Sequence, residues 1–70
     1  MISGDQELQA TLERVRQFQI QVANLRHAER NAENYRLSAS GYLAELDRMT
    51  LEVREYLWSH PTEVQPGVPA

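Results

Sequence analysis

Residues 32–58 read AENYRLSASGYLAELDRMTLEVREYLW, with apolar side chains at alternating intervals of three and four. When the residues are numbered as heptads abcdefg from Ala32, two further leucines at e positions, Leu43 and Leu57, widen the apolar stripe. The a and d positions hold only apolar or aromatic residues: Ala32, Tyr35, Ala39, Tyr42, Leu46, Met49, Val53 and Tyr56. This spacing is typical of a helix packed lengthwise against another helix. We therefore predict one helix over about residues 32–59.

Both ends of this helix carry signals of their own. Asn31 is typical of an N-cap, and Glu33 places negative charge in the first turn. Pro61 disfavours helical backbone in the residue before it, so we expect the helix to end at Ser59 or His60. Residues 61–70 contain three prolines and one glycine without apolar periodicity, and we predict a disordered tail there.

The middle of this helix contains four small residues, Ser38–Gly41. Glycine inside a helix costs up to about 1 kcal/mol relative to alanine. In a continuous helix we expect close approach of a neighbouring backbone to these small side chains to offset that cost. The second interpretation is a break at Ser38–Gly41, with Ser40 capping a shorter last helix.

A second periodic segment precedes this one. Its apolar residues recur at intervals of seven, three, four and three: Leu8, Val15, Phe18, Val22 and Leu25. No glycine or proline interrupts residues 5–40, and Ser3 with Gln6 three residues later forms a candidate capping box. The polar residues 26–31 then break the apolar pattern. We predict helix one over about residues 5–28 and a short turn at about 28–31.

Two helices joined by a short turn form an antiparallel hairpin, here a single domain over residues 1–60. Because 70 residues make a small core and one seam leaves much of a wide stripe in water, we predict association. The predicted fold is an all-α antiparallel two-helix hairpin that dimerises into a four-helix bundle. The predicted oligomer core is Leu8, Val15, Phe18, Val22, Leu25, Tyr35, Tyr42, Leu46, Met49, Val53 and Tyr56.

The f positions of helix two, opposite the a/d stripe, are also apolar: Leu37, Ala44, Leu51 and Trp58. The f positions of helix one are mostly polar: Gln6, Glu13, Ile20 and His27. A helix in a simple hairpin should be polar on this face. We therefore predict that helix two is the inner element of a larger assembly, or that Leu37, Leu51 and Trp58 form a partner surface.

The sequence offers little for catalysis. The chain has no cysteine, which removes thiolate nucleophiles, disulfides and cysteine metal sites. The two histidines, His27 and His60, fall at opposite ends of a hairpin, so one chain cannot bring them into one site. There is no glycine-rich phosphate loop and no metal-ligand spacing of histidines. We expect a non-enzymatic protein with no cofactor and no metal.

Charge is dispersed along the chain. The net charge is −3, and the seven arginines are dispersed among acidic residues, so we expect neither nucleic-acid nor membrane-surface binding. The spacing of Arg48 from Glu45 and Glu52 predicts surface ion pairs. No apolar run approaches the roughly 20 residues of a membrane span, and no signal-peptide pattern occurs. We expect a cytoplasmic protein whose partner is a second copy of itself or another protein.

Residues 34–46, NYRLSASGYLAEL, and 52–57, EVREYL, resemble a group of short bacterial helical-hairpin proteins. Similar hairpins precede the DNA-binding helices of some helix-turn-helix antitoxins from toxin–antitoxin pairs. The likeness covers about residues 6–60 and implies a bacterial, cytoplasmic, non-enzymatic protein that works through protein contacts. No helix-turn-helix follows the hairpin here, so no functional residue is carried over. The alternative function is an antitoxin-like or regulatory subunit that folds against a toxin or another protein.

Overall fold

Two long helices make up most of the protein. The computed structural model describes residues 1–64, with side chains described for residues 1–62. Helix α1 is Asp5–Ala28, α2 is Ala32–Trp58, and α3 is the single turn Pro61–Val64. Three residues connect α1 to α2, so the two helices run antiparallel and pack along their length. The predicted all-α helical hairpin is confirmed.

The cap of α2 forms as the sequence predicts. The Asn31 side-chain oxygen accepts a hydrogen bond from the backbone N–H of Asn34 at 2.9 Å. This bond satisfies one of the backbone donors that a helix start leaves free. Because α2 continues from Ala32 through Ser40 without interruption, the alternative start near Ser40 is wrong.

The cap of α1 differs from the predicted capping box. Gly4, not Ser3, is the N-cap, and it makes no side-chain cap bond. The hydroxyl of Ser3 instead donates to Glu7 Oε1 at 2.6 Å, and the backbone N–H of Ser3 donates to Glu7 Oε2 at 3.3 Å. A carboxylate is a stronger acceptor than an amide oxygen. Glu7 therefore takes the role that the prediction gave to Gln6.

The close approach expected at Ser38–Gly41 occurs at one residue only. Ala39 is fully buried, whereas Ser38, Ser40 and Gly41 are exposed. A Cβ built on Gly41 would meet nothing within 4 Å. The expectation that a neighbouring backbone packs against all four small residues is therefore wrong, because the seam touches only the a position of that turn.

The core lies along the seam between α1 and α2. Its buried cluster consists of Val22 from α1 and three residues of α2: Ala39, Leu46 and Met49. Met49 is 2% exposed. Between Ala39 and Leu46 the ring of Tyr42 meets the ring of Phe18 edge to face, with their centroids 5.5 Å apart.

The residues after α2 depart from the predicted tail. Ser59 ends α2 with extended backbone, and Pro61–Val64 then form one helical turn. Proline is well suited to the first position of a helix, where its missing N–H would have no intrahelical partner. The predicted disordered tail is therefore wrong for residues 61–64, and its remainder, 65–70, lies outside the described residues.

Candidate interaction surface

The hairpin has two long sides, because the e and g positions of each helix flank the seam in opposite directions. In an antiparallel pair the g positions of both helices share one side and the e positions share the other. The g positions include Glu7 and Arg14 on α1 and Glu45 and Glu52 on α2. We call the g side the polar side.

The polar side carries an ion network centred on Arg48. Its Nη1 lies 2.9 Å from Glu52 Oε2, and its Nε donates to Glu45 Oε1 at 3.0 Å, so both predicted ion pairs are confirmed. The hydrogen bond from Arg48 lowers the pKa of Glu45, and the charge of Arg14 across the seam adds to this effect. The network therefore links neighbouring turns of α2, and its carboxylates attract Arg14 of α1 towards the same side.

The chain start extends this network. The amino group of Met1 lies 2.8 Å from Glu52 Oε1 and, through this hydrogen bond, lowers the pKa of the Glu52 carboxyl. The next residue, Ile2, is buried and lines a hollow together with Thr11 of α1 and Met49 of α2. We call Met1–Ser3 the N-terminal strap. Its Ile2 side chain covers the polar side of the seam beside Thr11 and Met49.

The start of α1 and the end of α2, which lie opposite the connector, are joined by a hydrogen bond. The hydroxyl of Tyr56 donates to Asp5 Oδ1 at 2.7 Å, and this bond raises the pKa of Tyr56. Tyr56 was predicted as oligomer core, but its polar tip serves this bond within the chain. The bond fixes the first turn of α1 against the last turns of α2.

The opposite side of α2 has a different character. Leucines stand at its e and f positions, and none of these large side chains is covered. Leu37 is 70% exposed and Trp58 is 86% exposed. We call this surface the outer face, and it consists of Leu37, Leu43, Leu51, Leu57 and Trp58. The three residues of the predicted partner surface all lie in it.

The outer face contains a row of polar residues as well. At 100° per residue, the b positions of a helix lie between its e and f positions. On α2 the b row holds Glu33, Ser40, Asp47 and Arg54, and the hydroxyl of Ser40 donates to the carbonyl of Leu37 at 2.8 Å. Between Leu43 and Trp58 this row carries one acid, Asp47, and one base, Arg54, flanked by Leu43 and Leu57 of the e row and by Leu51 and Trp58 of the f row.

The residues of the predicted oligomer core line the seam within one chain. Four are buried: Leu8, Val22, Leu46 and Met49. Four pack against the buried cluster: Val15, Phe18, Leu25 and Tyr35. Val53 and Tyr56 are half-buried, and Tyr42 is 37% exposed at the edge of the seam. Their role between chains stays a prediction.

Sequence reasoning missed Ile2 and the charged pair of the b row. Ile2 stands outside both periodic segments, two residues before the cap Gly4, so no periodic pattern points to it. Asp47 and Arg54 look like ordinary surface charges until the seam shows which way the b row points.

The structure places the two histidines at opposite ends of the hairpin. His27 is exposed near the connector and His60 follows α2 at the far end, where its Nδ1 lies 2.9 Å from Thr62 Oγ1. Within the described chain, no three acidic or histidine residues converge as metal ligands would. Neither long helix combines the length and hydropathy that crossing a membrane requires.

Comparison of the chain with models of protein families, with curated proteins and with solved structures gave no match. The surface of the hairpin is therefore the starting point for inferring function.

Proposed function

We propose that this chain is a small non-enzymatic interaction protein of the bacterial cytoplasm that associates with itself through the outer face of α2. The observation that carries the proposal is the exposure of five large apolar side chains along one face of one helix. Apolar side chains are common singly on protein surfaces, but a contiguous row of them marks an interaction site.

The two helices differ in a way that supports this role for α2. The f row of α1 has one large apolar residue, Ile20, among Gln6, Glu13 and His27. The f row of α2 has no polar residue at all from Leu37 to Trp58. Since both helices use their a and d positions for the seam, hairpin formation does not explain the second apolar stripe on α2.

The size of the hairpin core gives a physical reason for association. A specific interface buries about 800 Å² on each partner, which is roughly an eighth of the 5968 Å² surface of this chain. A chain this short buries a smaller share of its surface on folding than a larger domain does. Burial of the outer face between two copies would add a second apolar contact to the single seam of each chain.

The test is the molar mass of the protein by light scattering across a concentration series, for the unaltered chain, Trp58→Ser and Ile20→Ser. Both substitutions remove an exposed apolar side chain from an f position, so Ile20→Ser on α1 is the matched control. We expect a dimer or larger species for the unaltered chain and for Ile20→Ser, and a shift towards monomer for Trp58→Ser.

A monomer at every concentration would contradict self-association and would make the outer face a surface for a different protein. Equal behaviour of the two variants would show that association uses another face. Circular dichroism of each variant checks that helix content is retained.

A further inference from the structure

Asp47 and Arg54 stand in the b row, in the middle of the outer face, between the leucines of the e and f rows. Neither side chain has a hydrogen bond or an ion pair with any other side chain that the structure describes. Seven residues along a helix correspond to about 10.5 Å, so they are too far apart to pair with each other. Between Leu43 and Trp58, the b row of each chain thus presents one acid and one base that are unpaired among the described residues.

A twofold axis near Leu51 would pair these charges between two chains. Asp47 lies four residues before Leu51 and Arg54 lies three residues after it. If two α2 helices cross antiparallel at this point, Asp47 of each chain faces Arg54 of the partner subunit. The operation forms the pair twice, as a twofold axis requires.

The same axis matches the apolar rows. In an antiparallel pair each flanking row faces its own copy, e against e and f against f. Leu43 then lies opposite Leu57 of the partner subunit, and Leu51 lies opposite its own copy. Ala44 lies opposite Trp58 of the partner subunit, so the smallest side chain of the f row faces the largest. Size and charge therefore agree on one register.

A parallel arrangement fails on charge. It would place Asp47 against Asp47 and Arg54 against Arg54 of the partner subunit. Like charges opposed at an interface are strongly unfavourable, whereas opposite charges fix the register of helices.

We propose that the outer face binds the outer face of a second copy, with the two α2 helices antiparallel about a twofold axis near Leu51 and Asp47 paired with Arg54 of the partner subunit. This inference rests on the proposed self-association and adds its orientation and register. The α2 helices become the inner pair of a four-helix assembly, and each α1 lies outside.

The experiment is a charge exchange measured as the dimer dissociation constant by sedimentation. In the dimer, Asp47→Arg places an arginine at position 47 opposite Arg54 of the partner subunit, and the twofold axis repeats this clash. Arg54→Asp likewise places two aspartates opposite each other at both contacts. We expect each single substitution to raise the dissociation constant about tenfold or more. The double variant Asp47→Arg/Arg54→Asp restores opposite charges and returns the constant to near its original value.

An equimolar mixture of the two single variants gives the sharpest readout. The Asp47→Arg chain has a base at both positions, 47 and 54, and the Arg54→Asp chain has an acid at both. We therefore expect the two variants to form a heterodimer, although neither dimerises well alone. The matched control for Asp47→Arg is Glu13→Arg on the outside of α1, which makes the same change in net charge as Asp47→Arg away from the proposed interface and should leave the constant unchanged.

The outcomes separate this inference from the proposed function. If the unaltered chain dimerises and the single variants dimerise equally well, the antiparallel register is overturned while self-association stands. The same holds if the double variant dimerises as weakly as either single variant. A monomeric unaltered chain overturns both. Because both side chains are exposed and have no partner among residues 1–62, circular dichroism should show the same helix content for every variant.

Discussion

At the scale of single residues, Gly41 is the position of α2 with the most to gain from replacement. It stands in the middle of the helix, and a Cβ there would meet nothing within 4 Å. We expect Gly41→Ala to raise the free energy of unfolding by about 0.5–1 kcal/mol, because alanine loses less backbone freedom than glycine in a helix. Chemical denaturation at one fixed protein concentration measures this change.

The control for Gly41 is Ala39→Gly two residues earlier. Ala39 is fully buried in the seam, so its replacement by glycine removes packing as well as helix preference and should destabilise the protein. A loss of stability in Gly41→Ala would mean that another chain or segment approaches this glycine closely.

Single residues also mark how far the sequence can be interpreted. The periodic positions of α2 predict the seam because heptad spacing depends only on helix geometry. Gly41 shows the limit, since the presence of a glycine does not tell whether something packs against it. Trp58 could be assigned to the outside because its f position is opposite the seam, whereas the importance of Asp47 required knowledge of its neighbours.

At the scale of elements, the N-terminal strap is held by charge and by one apolar side chain. Ser3 lowers the pKa of Glu7 by a hydrogen bond, and the amino group of Met1 lowers the pKa of Glu52 in the same way. A carboxyl with a lowered pKa stabilises the folded chain above its ordinary value of 4.5 and loses that contribution as the pH falls through its folded value.

We therefore expect the free energy of unfolding to fall as the pH is lowered from about 6 to below 4.5, because both carboxyls have a lower pKa in the folded chain than this ordinary value. Glu52→Gln should lower stability at pH 6 and flatten this dependence, because the amide keeps the shape of the side chain and cannot ionise. Denaturation curves at both pH values measure the effect. An unchanged slope in Glu52→Gln would show that the strap does not depend on its charge.

The elements themselves were predictable to different degrees. Both long helices follow from apolar periodicity, over residues 8–25 in α1 and residues 32–56 in α2, and Asn31 marks where the second begins. The strap was not predictable, since three residues have no period and Ile2 finds its place only once two helices have formed a groove. The single turn of α3 begins at Pro61. The sequence alone does not distinguish a proline that ends one helix from a proline that begins the next.

At the scale of the whole molecule, the two long sides of the hairpin differ. The polar side carries the Arg48 network and, beside Met49, the buried Ile2 of the strap, and the other side carries the outer face. The proposed self-association would use the outer face, because burial of the Arg48 network would remove several charges from water.

Cross-linking through a single introduced cysteine tests the self-association of the outer face most directly. The natural chain has no cysteine, so Leu51→Cys places the one thiol of each chain near the proposed twofold axis. Ile20→Cys places it on the outside of α1 as the matched control. With a short thiol-reactive linker we expect Leu51→Cys to give a covalent dimer at concentrations where Ile20→Cys stays a single chain. Equal cross-linking of the two variants, or none for Leu51→Cys, would contradict an interface at the outer face of α2.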